Sequence, residues 1–101
     1  MAKPRLPLFA VTYRYEAEQT AEREANKPAH RAWLQARVAD GEILTVGPFL
    51  DGSGALLLVE SDDDESARAL VARDPHCVEG MVSEVVVRPW TPVFGLLAEG
   101  H

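Results

Sequence analysis

The chain of 101 residues holds a single cysteine, Cys77. One thiol cannot close an internal disulfide, so a reducing cytosol is permitted. No run approaches the roughly 20 apolar residues of a membrane span. Residues 1–7 carry no apolar core of the secretory type. Basic residues are few: 10 Lys and Arg stand against 16 Asp and Glu, for a net charge of −6. Phosphate neutralisation needs clustered cations, so this balance excludes a general nucleic-acid binder. It also makes an anionic membrane a poor partner. Internal repeats, linkers and low-complexity tracts are missing. So are a nucleotide or flavin motif and a phosphate loop ending in Lys and Ser or Thr. The expectation is a soluble cytoplasmic protein that works without a cofactor.

What is present is an ordinary globular balance, 47% hydrophobic and 26% charged. The length fits one domain, with its core at about residues 8–94. A chain this small leaves roughly a third or more of its unfolded surface exposed. A large enclosed pocket is therefore not expected in one subunit, and an oligomer interface would add burial.

Residues 8–15 place Phe9, Val11, Tyr13 and Tyr15 on one face and Thr12 and Arg14 on the other. That alternation predicts a half-buried strand. Residues 16–26 are polar, with Ala17, Ala21 and Ala25 spaced by four, and read as a short helix or a loop. Asn26, Lys27 and Pro28 read as a helix start, since proline suits the first turn. This helix should run to Ala39 and end at Asp40 and Gly41. Residues 43–46 form the second strand, which Gly47 and Pro48 close or bulge. Residues 51–54 make a hairpin turn. Residues 55–60 are apolar almost throughout and predict a central strand covered on both faces. Residues 61–65 offer N-cap oxygens and negative charge to a helix whose stripe is Ala67, Leu70 and Val71. Pro75 should end that helix. Residues 82–88 are the last strand, residues 90–97 a short apolar tail, and the final four residues should fray.

The order β-α-β-β-α-β is the split βαβ pattern of an α+β ferredoxin-like domain, a four-stranded antiparallel sheet with two helices on one face. The other face still carries Val and Leu. A contiguous apolar sheet face is an expected interface, here a homodimer through the open sheet face.

Several residues resemble one family. Arg23, Lys27-Pro28-Ala29-His30, Leu34 and Gly41 are similar to the first-helix signature of YciI-like proteins, the YCII-related domain family. Leu44-Thr45-Val46-Gly47-Pro48 resembles their second-strand ending. Asp74-Pro75-His76 and Gly80 resemble their DP-aromatic element. Arg88-Pro89-Trp90 with Val93-Phe94 resembles their closing strand and tail. Two positions depart from the pattern. Lys27 stands where Arg is frequent, which turns a bidentate anion contact into a point charge. His76 stands where Phe or Tyr is usual, which could bring a second imidazole into the site region.

The resemblance implies a dimeric α+β barrel with an active site centred on His30 and Asp74. Histidine can give or take a proton near neutrality, and an Asp on one ring nitrogen would fix its tautomer. Arg23 or Lys27 would help bind a small anionic ligand, a polar or aromatic acid. The reaction implied is proton abstraction with elimination or isomerisation, and a dehydrochlorinase-like lyase is among the family's activities. The alternative is a non-catalytic dimeric module that binds a metabolite or protein partner.

Plainer readings stand beside these. His30 shares a helix side with Trp33, Leu34 and Val38, so it should be part-buried. Asp74 either partners His30 or merely serves turn chemistry before Pro75. Arg23 and Lys27 read as solvated unless they hold a ligand, and Tyr13 and Tyr15 read as packing residues. Cys77 beside His76 lacks metal-ligand spacing and a visible base, so neither a metal site nor a nucleophile is expected. The acidic run at residues 62–65 reads as a cap, because the glycine and later glutamate of a calcium loop are missing. His101 is given no role.

Overall fold

The structure, a computed structural model, describes residues 6–98. The readings placed on the start of the chain, on His101 and on the frayed end therefore lie wholly or mostly outside the described residues. Strand β1 spans Leu8–Arg14, and a 3-10 turn at Ala17–Gln19 leads into helix α1, Thr20–Ala39. Strands β2, Ile43–Pro48, and β3, Gly54–Glu60, follow as a hairpin. Helix α2 is Asp64–Val71, α3 is one turn at Pro75–Val78, and β4 is Glu84–Trp90. The sheet order is β2-β3-β1-β4, every neighbour antiparallel. This is the α+β ferredoxin-like arrangement.

Register decides the core. Val11 lies opposite Leu57 on β3 and Val87 on β4, and Tyr13 opposite Ala55 and Val85. Side chains alternate along a strand, so Phe9, Val11, Tyr13, Leu57 and Val59 all point to one face. There they meet Leu34 of α1 and Ala67, Leu70 and Val71 of α2. Fully burying a side chain such as Leu57 contributes on the order of 1.5–3 kcal/mol. Gly41, at φ +85°, ends α1 where the sequence places its stop. Asp63 caps α2, its carboxylate accepting the Ser66 N–H at 2.7 Å.

Five expectations are corrected. Helix α1 begins at Thr20, and Pro28 lies inside it rather than at its start. The polar first half has no apolar stripe to reveal it. It docks instead by side-chain hydrogen bonds, from Asn26 to His76 and, just ahead of the helix, from Gln19 to the Gly80 carbonyl. Helix α2 ends at Val71, short of Pro75, and Pro75 opens α3. The missing N–H that ends one helix is harmless in the first turn of another. Strand β4 runs two residues later at each end than expected, and Pro89 is tolerated because β4 is an edge. Strand β3 is covered on one face only within this chain, since Leu56 is 38% exposed. Val38, expected beside Leu34, is exposed.

Candidate active site

Asp74 is placed by local chemistry. Its N–H donates to the Val71 carbonyl at 3.0 Å, which turns the chain out of α2. Its side chain then caps α3, with Oδ1 accepting the His76 N–H at 3.0 Å. Oδ1 also accepts from His30 Nδ1 at 2.7 Å, and Oδ2 accepts from the Tyr13 hydroxyl at 2.8 Å. The residue is 0% exposed. A buried carboxylate is tolerable only when its lone pairs are satisfied, and here three donors converge on it. The turn-chemistry reading and the histidine-partner reading of Asp74 thus describe one residue.

His30 sits on α1, one turn before the buried Leu34. Helix α1 packs on α3, which brings residues 44 apart into contact. A carboxylate only accepts, so His30 Nδ1 carries the proton and Nε2 is left as the reactive nitrogen. Among the described residues Nε2 has no hydrogen-bond partner, and it is not sealed from solvent. The side chain is 14% exposed.

His76 stacks on His30, with ring centroids 3.7 Å apart and planes 5° apart. Asn26 Nδ2 donates to its Nδ1 at 3.0 Å. Burial pushes its pKa down, the nearby His30 adds to this, and the result is about 4. Tyr15 presents an edge to His76 at 6.1 Å. Burial, followed by the Asp74 charge, raises the Tyr15 hydroxyl to about 12. The same two causes hold the Tyr13 hydroxyl far above the ordinary tyrosine range, so it remains a donor to Asp74.

The two basic residues differ from each other, and Arg23 differs from the solvated reading given to both. Arg23 is not solvated: it is 8% exposed, lies over the Tyr15 ring at 4.4 Å and donates to the Glu16 carbonyl at 2.9 Å. Lys27 is half-exposed and pairs with exposed Glu24 at 2.7 Å. Neither touches His30 directly, yet both charges reach His76 and disfavour its protonation. Burial drives the Cys77 thiol up to about 11, the opposite of what a nucleophile needs.

Sequence reasoning missed two members of the cluster, Tyr13 and Asn26. Tyr13 was legible as inward-facing, and a buried hydroxyl needs a partner, but the sequence does not name Asp74 as that partner. Asn26 reads as a helix start, and its reach to His76 is purely tertiary. His76 is legible as a second imidazole replacing an aromatic residue near the site, and the structure stacks it on His30.

The model of the YCII-related domain matches residues 8–91. The chain belongs to the YCII-related domain family. It is 29% identical over 97 residues to Protein YciI of Escherichia coli, covering 86% of this chain and 99% of that protein. The Protein YciI of Shigella flexneri matches to the same extent. Among solved structures, 5-chloro-2-hydroxyhydroquinone dehydrochlorinase (TftG) from Burkholderia phenoliruptrix, in complex with 2,5-dihydroxybenzoquinone, superposes with a TM-score of 0.73. It is 25% identical, with 83% of this chain and 93% of that one covered. A crystal structure from Bacteroides thetaiotaomicron shares the fold alone, at TM-score 0.50 and 13% identity, over 87% of this chain and 90% of that one. Family membership agrees with the resemblance drawn from the sequence motifs.

Proposed function

We propose that this YCII-domain protein is a small enzyme in which His30 Nε2 takes and returns a proton. The reaction is elimination or isomerisation on a small polar or aromatic acid. The observation that carries this reading is the 2.7 Å contact from His30 Nδ1 to fully buried Asp74, with Nε2 left unpartnered. In the forward step Nε2 removes a proton from carbon or oxygen. The released electron pair forms a new double bond, and a leaving group or a second proton position absorbs the displaced charge. The imidazolium that results faces a carboxylate already held in place by Tyr13 and by the α3 backbone. Asp74 therefore stabilises the charged ring without moving. The dehydrochlorinase that this chain resembles carries out an elimination by name, which supports the class. Lys27, whose partner is an exposed residue of its own helix, is better able than the tethered Arg23 to turn toward an anionic group.

General acid–base catalysis contributes about 10²–10⁴-fold. His30→Gln should lower kcat on 5-chloro-2-hydroxyhydroquinone by at least the lower of these factors. Unchanged turnover would sink the assignment. The low exposure of His30 favours a second reading, the non-catalytic module. It would bind the same compound with no product formed by the wild-type chain.

The assembly belongs to this proposal too. Leu56, Leu58, Val86 and Trp90 lie on the sheet face that no helix covers, partly or fully exposed. A second copy packed sheet to sheet would bury them.

A further inference from the structure

The proposed chemistry uses one imidazole, yet two are stacked at the site. Both Nδ1 atoms are committed, that of His30 to Asp74 and that of His76 to Asn26. An amide nitrogen only donates, so His76 Nδ1 accepts and the ring proton sits on Nε2. His30 is the mirror case, with its proton on Nδ1 and a lone pair on Nε2. Neither Nε2 has a protein partner among the described residues, and neither is sealed from solvent. Parallel rings 3.7 Å apart thus carry one unused acceptor and one unused donor. His76 is otherwise 4% exposed, so its donor is a polar group in an almost closed environment.

We propose that His76 is a second ligand-binding group, its Nε2–H holding a carbonyl or enolate oxygen while His30 Nε2 handles the proton beside it. This rests on the acid–base reading of His30. The ligand class is a small planar compound with an ionisable C–H or O–H next to a carbonyl or enolate oxygen. As the proton leaves, negative charge grows on that oxygen, and a fixed N–H there is worth more than in the ground state.

The surroundings keep His76 in the required form. The groups that act on it are His30, Asp74, Arg23 and Lys27. Burial, His30, Arg23 and Lys27 all oppose a charge on the ring, and only Asp74 favours one. When His30 takes up a proton, a second imidazolium 3.7 Å away is excluded by like-charge repulsion. His76 then stays neutral and remains a donor of one tautomer.

Long-range ¹H–¹⁵N spectra of the full chain test this, with 2,5-dihydroxybenzoquinone as the probe. Between about pH 5 and pH 8, His76 should stay neutral with its proton on Nε2. The probe should shift that proton and the His30 Nε2 resonance together. His76→Phe keeps the ring stack and removes the donor, so probe affinity should fall about tenfold. His76→Gln, which returns an N–H, should recover part of the loss. A His76 that titrates near pH 6, or one protonated on Nδ1, overturns the proposal. So does wild-type affinity in His76→Phe alongside weakened binding in His30→Gln, and that pattern leaves the His30 reading standing. A probe that perturbs neither imidazole overturns both.

Discussion

Asp74 shows how one side chain can serve several neighbours. Its carboxylate caps α3, receives His30 and receives Tyr13, all without exposure to water. Truncating it would strand three donors, so its variants will confuse folding with chemistry. His76 offers a cleaner test at this scale. Its folded pKa, about 4, lies below the ordinary 6.5, so the unfolded chain binds the proton first as pH falls. The stability this ring contributes is present above about pH 6.5 and is lost as pH drops toward 4. Urea unfolding should show a loss on the order of 2 kcal/mol across that window. His76→Phe should remove that part of the slope and leave the shared contribution of the surface carboxylates. Equal slopes in the two proteins would show that the buried ring does not resist protonation.

Among elements, the start of β3 is the least forgiving. A Cβ on Gly54 would clash with the Tyr13 carbonyl oxygen on the adjacent strand. Backbone cannot yield there without parting β1 from β3, the centre of the sheet. Gly54→Ala should therefore cost about 3 kcal/mol or more, read as a lowered urea midpoint. A shift within error would mean that the strand end relaxes freely. Helix α1 makes a different point. Its second half is visible as an apolar pattern around Leu34, while its first half is held by Gln19, Arg23 and Asn26. Polar tethers leave no periodic trace, which is why the helix reads six residues too short from sequence. The short α3 was hidden for a related reason. Proline is a stop signal for α2 and a start signal for α3, and only the Asp74 cap distinguishes them.

For the whole molecule, the open sheet face is the surface that no helix covers. Leu56 and Trp90 stand partly exposed on it, and β3 reads in sequence as a strand covered on both sides. Size-exclusion chromatography with light scattering should give twice the 11.1 kDa chain mass. Leu56→Lys, which puts a charge where the second sheet would pack, should return the particle to the single-chain mass. A wild-type protein already at that mass would remove the dimer.

The sequence by itself determined the succession of strands and longer helices along the chain, the inward face of β1, the stripe of α2 and the stop of α1. Each is a local matter of alternation, capping or glycine geometry. The family motifs named His30 and Asp74 together, but no local rule joins residues 44 apart. Only the tertiary structure decided that α1 lies against α3. That packing stacked a second imidazole on the first, while contacts from β1 and the chain just after it made Tyr13 a donor to Asp74 and set Arg23 over the Tyr15 ring. Long-range contacts among polar side chains obey geometry and desolvation, and neither leaves a period in the sequence.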